Sequence, residues 1–490
     1  MASNTPILPC LDFNSIQIAP SSSSSTPLDS PNFDIPPSIL PHLETASKHL
    51  HNHETVAVPT ETVYGLAASS LSQQGLKSIY RIKNRPSDNP LIIHVSSLDM
   101  LRKVIPENYE ISELYMELIN EFWPGPISLL FPSRNSSINN NTSLKTNAIR
   151  MPSHKLALAL IHHSNLPLSA PSANSSGRPS PTKAEHVYND LNGSTGLGCI
   201  LDGGDCGVGV ESTVINGLEW IKNGGGRIDI LRPGGLGIEQ IQEIVEKVDG
   251  KKGLTEILLH GKPWKPYPQM PDGSTSDSNG YQQSTKVKSN GTANPLAEKI
   301  KPIDLPPSTP GLKYRHYSPK VPVYLLQPNT IFPRPINLPE EAESSTQAIL
   351  RQISQRIPTN EKGKQKIGVL HYENSPLSSQ LVHCVKERDD IQLVPISLGL
   401  DSASAAQRLF AGMLTLERIP PENQMEKTGV DAILIEGCSD EGLGLAVMER
   451  VSKAVGGGGI LGDVRTGEGE VSNNAAKESN TFWVNVTSTL

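Results

Sequence analysis

Between residues 36 and 261, short β-branched or aliphatic runs alternate with helical patterns, and that alternation restricts the chain to an α/β fold with helices laid on a sheet. The strand candidates are 56–58, 91–95, 127–131, 148–150, 166–169, 200–202, 213–216 and 228–231. The helical patterns cover 73–83, 111–122, 154–164, 182–191 and 238–247. No apolar run approaches the ~20 residues that a membrane-spanning helix needs.

Alternation resumes after residue 322. Strand patterns at 323–326, 367–372, 393–398 and 432–436 precede helical ones at 342–355, 377–387, 403–418 and 442–454, which reads as a small parallel, Rossmann-like sheet. No G-x-G-x-x-G follows a strand there, so a dinucleotide site has no support, and a supportive or regulatory role is expected. The expected divisions are a disordered tail at 1–35, a first domain at 36–262, a linker at 263–320, a second domain at 321–465 and a tail at 466–490. Residues 1–35 are rich in Ser and Pro and contain no Lys or Arg. That argues against a transit peptide or secretory signal and favours the cytoplasm. Residues 263–305 are rich in Pro, Ser, Gly and Asn and read as a flexible insertion.

With 41 prolines and 40 glycines in 490 residues, much of the chain is expected to lie outside any core. A net charge of −7 argues against a general nucleic-acid binder, whose phosphate contacts need clustered Lys and Arg. Five cysteines without C-x-x-C pairing indicate free thiols in a reducing compartment, and no metal-ligand spacing accompanies Cys199 and Cys206.

Local positive charge is concentrated at strand ends. Residues 83–94, KNRPSDNPLIIH, set Lys83 and Arg85 two apart on a turn stiffened by Pro86 and Pro90, where an arginine fork can hold a phosphate. Residues 56–66 break at Pro59 into a turn carrying Thr60, Glu61 and Thr62. Arg150 ends another strand, after Thr146. Residues 166–181 form a loop dense in hydroxyls, including Ser172, Asn174 and Ser180, which can bind a triphosphate or ribose without a Walker lysine. Residues 201–215 bring Glu211, Ser212 and Thr213 into a strand after a glycine-rich approach.

These segments resemble the YrdC-like threonylcarbamoyl-AMP synthases, in the long variety with an extra C-terminal domain. The resemblance rests on PTETVYGL at 59–66, KNRPSDNPLIIH at 83–94, WPGP at 123–126, AIRMP at 148–152 and APSAN at 170–174. It continues in RPSPT at 178–182, VESTV at 210–214, LRPG at 231–234 and KYRHYSP at 313–319. It implies a twisted mixed sheet around a basic cavity and an enzyme that makes L-threonylcarbamoyladenylate and pyrophosphate from L-threonine, bicarbonate and ATP. Its product would pass to a separate tRNA threonylcarbamoyltransferase. By the same resemblance Thr62, His94, Arg150, Ala170 and Ser212 contact threonine. Arg85, Asn89, Thr146, Ser172, Asn174, Ser180, Arg232 and Tyr314 contact ATP. Lys83 and Arg85 are assigned as the catalytic cations, with Mg2+ accompanying ATP, no resident metal site and no organic cofactor. Residues 313–317 would form a lid. The alternatives are a non-catalytic RNA-binding module, which the net charge disfavours, and a carbamoyl-transfer domain of the same fold, whose usual acylphosphatase and zinc-finger neighbours are absent.

Overall fold

The computed structural model describes residues 4–21, 26–134, 145–250, 252–264, 316–332, 334, 345–357, 364–386, 389–418, 429–456 and 480–487. Among these, two sheets dominate. The larger has twelve strands. Their spatial order is Ile7–Pro9, Leu197–Asp202, Thr55–Val58, Gly65–Ser69, Leu168–Ser169, Ile93–His94, Thr146–Arg150, Ile127–Pro132, Thr213–Asn216, Gly226–Arg232, Thr255–Leu259 and Lys262–Pro263. Parallel and antiparallel pairings are mixed: Thr55–Val58 runs antiparallel to Gly65–Ser69, and Ile93–His94 runs parallel to Thr146–Arg150.

The second sheet orders its strands Ile391–Gly399, Gln365–Tyr372, Ala432–Glu436, Val323–Pro328 and Thr481–Val484, with every pairing parallel. Its interior strand Ala432–Glu436 is buried throughout, the continuous apolar pattern of a sheet covered on both faces. The expected α/β class with a mixed sheet and a smaller parallel one is what the chain forms.

Helix signals in the sequence act locally. Helix Gln73–Lys83 starts where Ser72 accepts the Gly75 N–H at 3.0 Å and stops at Asn84, which is left-handed with φ 49°. Ser97 and Ser112 cap Leu98–Val104 and Glu113–Phe122 in the same way. The core of the first unit gathers Leu43, Val56, Ile93, Ile127, Phe131, Ile149, Leu160 and Ile215. Burying each such side chain stabilises the fold by about 1.5–3 kcal/mol.

Both tails depart from expectation. Residues 7–9 form a strand that pairs in parallel with Leu197–Asp202, Ile7 opposite Ile200. Phe13 then stacks on His154 with ring centroids 4.3 Å apart, and Lys155 Nζ donates to the carbonyls of Asn14 and Ile16, each at 2.9 Å. Strand Gln17–Ala19 pairs with Asn32–Asp34, and Phe33 stacks on His162 at 4.2 Å. A Ser- and Pro-rich composition lacks a core of its own, but here the segment uses the sheet edge and two histidine rings of the domain. At the other end Thr481–Val484 joins the small sheet beside Val323–Pro328, with Val484 fully buried. Residues 265–315, which hold all but the first two residues of the expected insertion at 263–305 and Lys313, Tyr314 and Arg315 of the expected lid, lie outside the described residues.

The two units share one apolar cluster. Val63 and Val210 of the first domain and Tyr317 of the linker pack with Phe410, Met413, Met448 and Val451 of the second. Gly209, at φ +79°, lies so close to the second domain that a Cβ there would sit 2.4 Å from Gln407 Cα. Arg178 meets Glu417 through two bonds of 2.6 and 2.8 Å.

Candidate active site

Converging strand ends of the large sheet line a partly open cavity whose free space, with the solvent at its mouth, is about 730 Å³. The turn after Thr55–Val58 supplies Thr60, Thr62 and Val63, the end of helix Gln73–Lys83 supplies Lys83, and Arg85 follows. His94 and Arg150 come from the paired strands Ile93–His94 and Thr146–Arg150. The loop after Leu168–Ser169 contributes Ala170, Ser172, Asn174 and Ser180; Glu211, Ser212 and Arg232 complete the large-sheet lining, and His316 and Tyr317 of the linker cover it.

Most of the residues singled out in the sequence therefore meet: Thr62, Lys83, Arg85, His94, Arg150, Ala170, Ser172, Asn174, Ser180, Ser212 and Arg232 all line the cavity. Asn89 and Thr146 are not in the lining. Asn89 stands behind it, accepting from Arg85 Nη2 through Oδ1 at 2.7 Å. Thr146 lies four residues from Arg150 on the same strand, about 13 Å away at strand rise. Tyr314 lies outside the described residues.

Thr60 and Glu211, singled out at strand ends but given no role, also line the cavity, and so do Gly65 and Arg178, which the sequence reading did not single out. All four sit inside matched motifs, so motif adjacency was the available signal.

The cations differ in what they leave free. Lys83 does not point from an extended turn, as the spacing implied. It ends a helix, is almost fully buried, and donates to the carbonyls of Ser172 and Asn174. Its ammonium thus shapes the loop that carries the hydroxyls, and burial, then Arg85, pushes its pKa well below the usual lysine value. Arg85 binds the Asn89 carbonyl through Nε at 3.1 Å and the Pro90 carbonyl through Nη2 at 2.8 Å. Its Nη1 makes no hydrogen bond among the described residues.

Arg150 holds Gly125 O at 3.2 Å, Thr62 Oγ1 at 2.9 Å and Glu61 Oε1 at 2.6 Å, which engages three of its five N–H donors. Arg232 grips the Ser212 carbonyl with Nε and Nη2 at 3.2 and 2.9 Å. Three neighbouring polar atoms, Asn174 Oδ1, Ser176 Oγ and His316 Nε2, are buried without a hydrogen-bond partner among the described residues. Unpaired buried polar atoms around a cationic cavity are what a ligand would satisfy.

Burial, then Arg150, drives the His94 pKa down to about 3, so the ring is neutral at physiological pH and accepts or donates without charge. Burial, then Arg85, takes His316 to about 4. Glu211 behaves oppositely. Burial would raise its pKa, yet Arg450, Arg232 and the Ser180 hydroxyl hold it down to about 2, so it remains a carboxylate. No helix among the described residues is long and apolar enough to cross a membrane, and no cluster of three or more His, Cys, Asp or Glu could hold a metal ion among them.

Fold and cavity define an α/β protein with a cation-lined site at the strand ends of a mixed sheet, flanked by His316 and Tyr317 of the linker and backed by a parallel domain. The Sua5/YciO/YrdC family model, described as "Telomere recombination", matches residues 48–234, and a model described as the threonylcarbamoyl-AMP synthase C-terminal domain matches residues 282–456. The chain belongs to the threonylcarbamoyl-AMP synthase family. It is 38% identical to the Schizosaccharomyces pombe threonylcarbamoyl-AMP synthase over 463 residues, covering 89% of this chain and 93% of the relative. The Bacillus subtilis threonylcarbamoyl-AMP synthase is 34% identical over 421 residues, 85% of this chain and 94% of that protein. The crystal structure of Pyrococcus abyssi Sua5 complexed with L-threonine superposes with a TM-score of 0.56 at 32% identity, covering 85% of this chain and 94% of that one.

Proposed function

We propose that this enzyme forms L-threonylcarbamoyladenylate from L-threonine, bicarbonate and ATP, releasing pyrophosphate, as the first step of threonylcarbamoyl adenosine formation next to the tRNA anticodon. The observation that carries the reading is the convergence of the buried cations Lys83, Arg150 and Arg232 and the half-buried Arg85 with unpaired polar atoms in one cavity. Threonine's neutral amine attacks the bicarbonate carbon, a C–O bond breaks and water leaves with the amine proton to give a carbamate, and a carbamate oxygen then attacks the α-phosphorus of ATP as the bond to pyrophosphate breaks. No enzyme nucleophile is required. The protein's work is to hold anions together and to compensate charge at the transferred group.

Arg150 has two N–H groups left for the threonine carboxylate, beside Thr62, neutral His94, Ala170 and Ser212. Arg85 and Arg232 are assigned to the phosphates, with Ser172, Asn174 and Ser180. Lys83 acts by fixing the 172–174 backbone. Asn89 reaches the nucleotide through Arg85, while Thr146 and Tyr314 are assigned to it by resemblance alone.

The carboxylates around the cavity do not fit a protein-held Mg2+. Glu61 is committed to Arg150 and to the Ser153 N–H, and Glu211 to Ser180 and Arg450. A magnesium ion arriving with ATP would be ligated by the nucleotide's own phosphates and water. Five buried free cysteines accord with a reducing cytoplasm, from which the product would pass to a tRNA threonylcarbamoyltransferase.

The test is pyrophosphate release by the purified full chain with each substrate omitted in turn, and mass analysis of the adenylate. Release that is indifferent to threonine or to bicarbonate would overturn the proposal.

A further inference from the structure

Glu211 is the one acidic residue in the described lining, among Lys83, Arg85, Arg150, Arg178 and Arg232, and it is tied to the other domain. Glu211 Oε1 accepts from Ser180 Oγ at 2.5 Å, while Oε2 accepts from Arg450 Nε and Nη2 at 3.0 and 2.9 Å. Arg450 is on helix Gly444–Val455 of the parallel domain and is only 1% exposed. Its Nη1 reaches the Pro233 carbonyl at 2.6 Å, next to Arg232, and its guanidinium lies 5.7 Å from the centre of the Tyr317 ring. One side chain thus touches the 211 loop, the turn after Arg232 and the linker.

We infer that Arg450 is a positioning residue of the active site, supplied by the C-terminal domain to neutralise Glu211 and so keep the cavity open to anions. The inference deepens the function proposed above and rests on it.

Glu211 cannot simply be shed, because it fixes Ser180 in the hydroxyl-bearing loop. Left alone it would be a buried carboxylate facing bound phosphates, and like charges so placed cost several kcal/mol. The groups that face it are Ser180, Arg450, Arg232, Tyr317, His316 and Lys83, with Glu449 behind Arg450 at 3.5 Å. Arg450 is the largest of the influences that hold Glu211 ionised. Without it, burial lifts the Glu211 pKa, so the unwanted charge is present at high pH and disappears by protonation at low pH.

The experiment uses full-length Arg450→Met, Glu211→Gln and the double variant, and measures affinity for a non-hydrolysable ATP analogue between pH 5.5 and 8.5. Turnover and thermal melting accompany each measurement. Arg450→Met should weaken analogue binding roughly 10–100-fold at pH 8, in line with a like-charge penalty, and the deficit should shrink toward pH 5.5. In the double variant affinity should return to within about threefold of Glu211→Gln alone and lose that pH dependence.

Unchanged affinity in Arg450→Met, or a double variant as weak as Arg450→Met, overturns the inference. If Arg450→Met does not fold but the double variant does, the charge argument stands. If neither folds, Arg450 is a structural anchor and the inference fails. The parent enzyme separates the two claims: an unmutated chain that binds the analogue but releases no pyrophosphate with all three substrates sinks the proposed function, whereas normal turnover by both parent and Arg450→Met sinks only the role of Arg450.

Discussion

The two sheets use their strand ends in opposite ways. In the large sheet, strands close with Arg150 and Arg232, and the end of helix Gln73–Lys83 and the turn after it add Lys83 and Arg85, all lining one cavity. In the parallel sheet the corresponding ends are Pro328, Tyr372, Gly399 and Glu436. The one charged group among them, Glu436, is already held by the Tyr372 N–H and the Ser375 hydroxyl, each at 2.9 Å. Burial raises its pKa. Open α/β sheets commonly bind ligands at such ends, but this pair of domains teaches that topology offers the position while unsatisfied cationic donors make it a site. The parallel domain's contribution comes from a helix flank, at Arg450.

The strongest challenge to that contrast is to remove the second domain. A chain cut after Pro306 should fold around its own core yet lose pyrophosphate release by more than about 10³-fold, because Val63 and Val210 are uncovered and Tyr317 and Arg450 are gone. Full activity in the cut enzyme would show the domain to be dispensable to the site.

Next in size, Lys83→Ala and Arg85→Ala should each reduce turnover at subsaturating ATP by roughly 10–150-fold, the equivalent of about 1.5–3 kcal/mol per charged hydrogen-bonding group. Glu436→Gln, at a strand end of the other sheet, should stay within about threefold. Equal losses at Lys83 and Glu436 would erase the distinction.

Arg150→Lys keeps the charge but loses the planar fork that spans Gly125, Thr62 and Glu61. The Michaelis constant for threonine should rise about tenfold and that for ATP less than threefold; parallel rises would remove the assignment to threonine.

The first domain should also be the acid-sensitive one. Burial depresses the pKa of His94 to about 3 and those of His154 and His186 to about 4. Their folded values lie below the unfolded value near 6.5, so the stability they contribute is full above pH 6.5 and is lost as pH falls through that value toward the folded ones. By pH 5 the loss is about 2 kcal/mol per histidine. Denaturant unfolding at pH 7 and pH 5 should show it, and His186→Gln should flatten the difference; identical pH dependence in that variant would contradict the linkage. Smallest of all, deletion of residues 268–298 should leave turnover within about twofold, since loop-closure cost changes slowly with length.

The recurring strand-end motifs made the mixed sheet and most of the cavity lining legible in the sequence. Where a run was β-branched, as at Thr213–Asn216, the reading and the strand coincide. Gly65–Ser69 was not read as a strand because GLAAS carries no β-branched or aromatic residue, and its burial on both faces comes from tertiary packing. The N-terminal strands were hidden because composition reports whether a segment can bury itself, not whether a neighbouring edge will take it. The helical pattern over 73–83 matches the helix that ends at Lys83, but K-x-R gives no sign that the ammonium is buried against the Ser172 and Asn174 carbonyls rather than presented with Arg85 from a turn. Arg450 left one trace: a Glu-Arg pair inside a helix whose neighbours Ala446, Val447, Val451 and Ala454 are all buried. A charge so surrounded needs a distant partner, but the sequence does not name Glu211.

The separation of Arg450 from Glu211 also sets an order of events during synthesis. The two are 239 residues apart, so at ordinary elongation rates the ribosome delivers the arginine on the order of 10–50 s after the glutamate. Throughout that interval the nascent first domain carries a carboxylate with no counter-ion from the far helix, and its nucleotide chamber remains electrostatically unfinished. If Arg450 has the role inferred for it, a message truncated before codon 450 would yield a chain that collapses around the first core but lacks the counter-ion of Glu211.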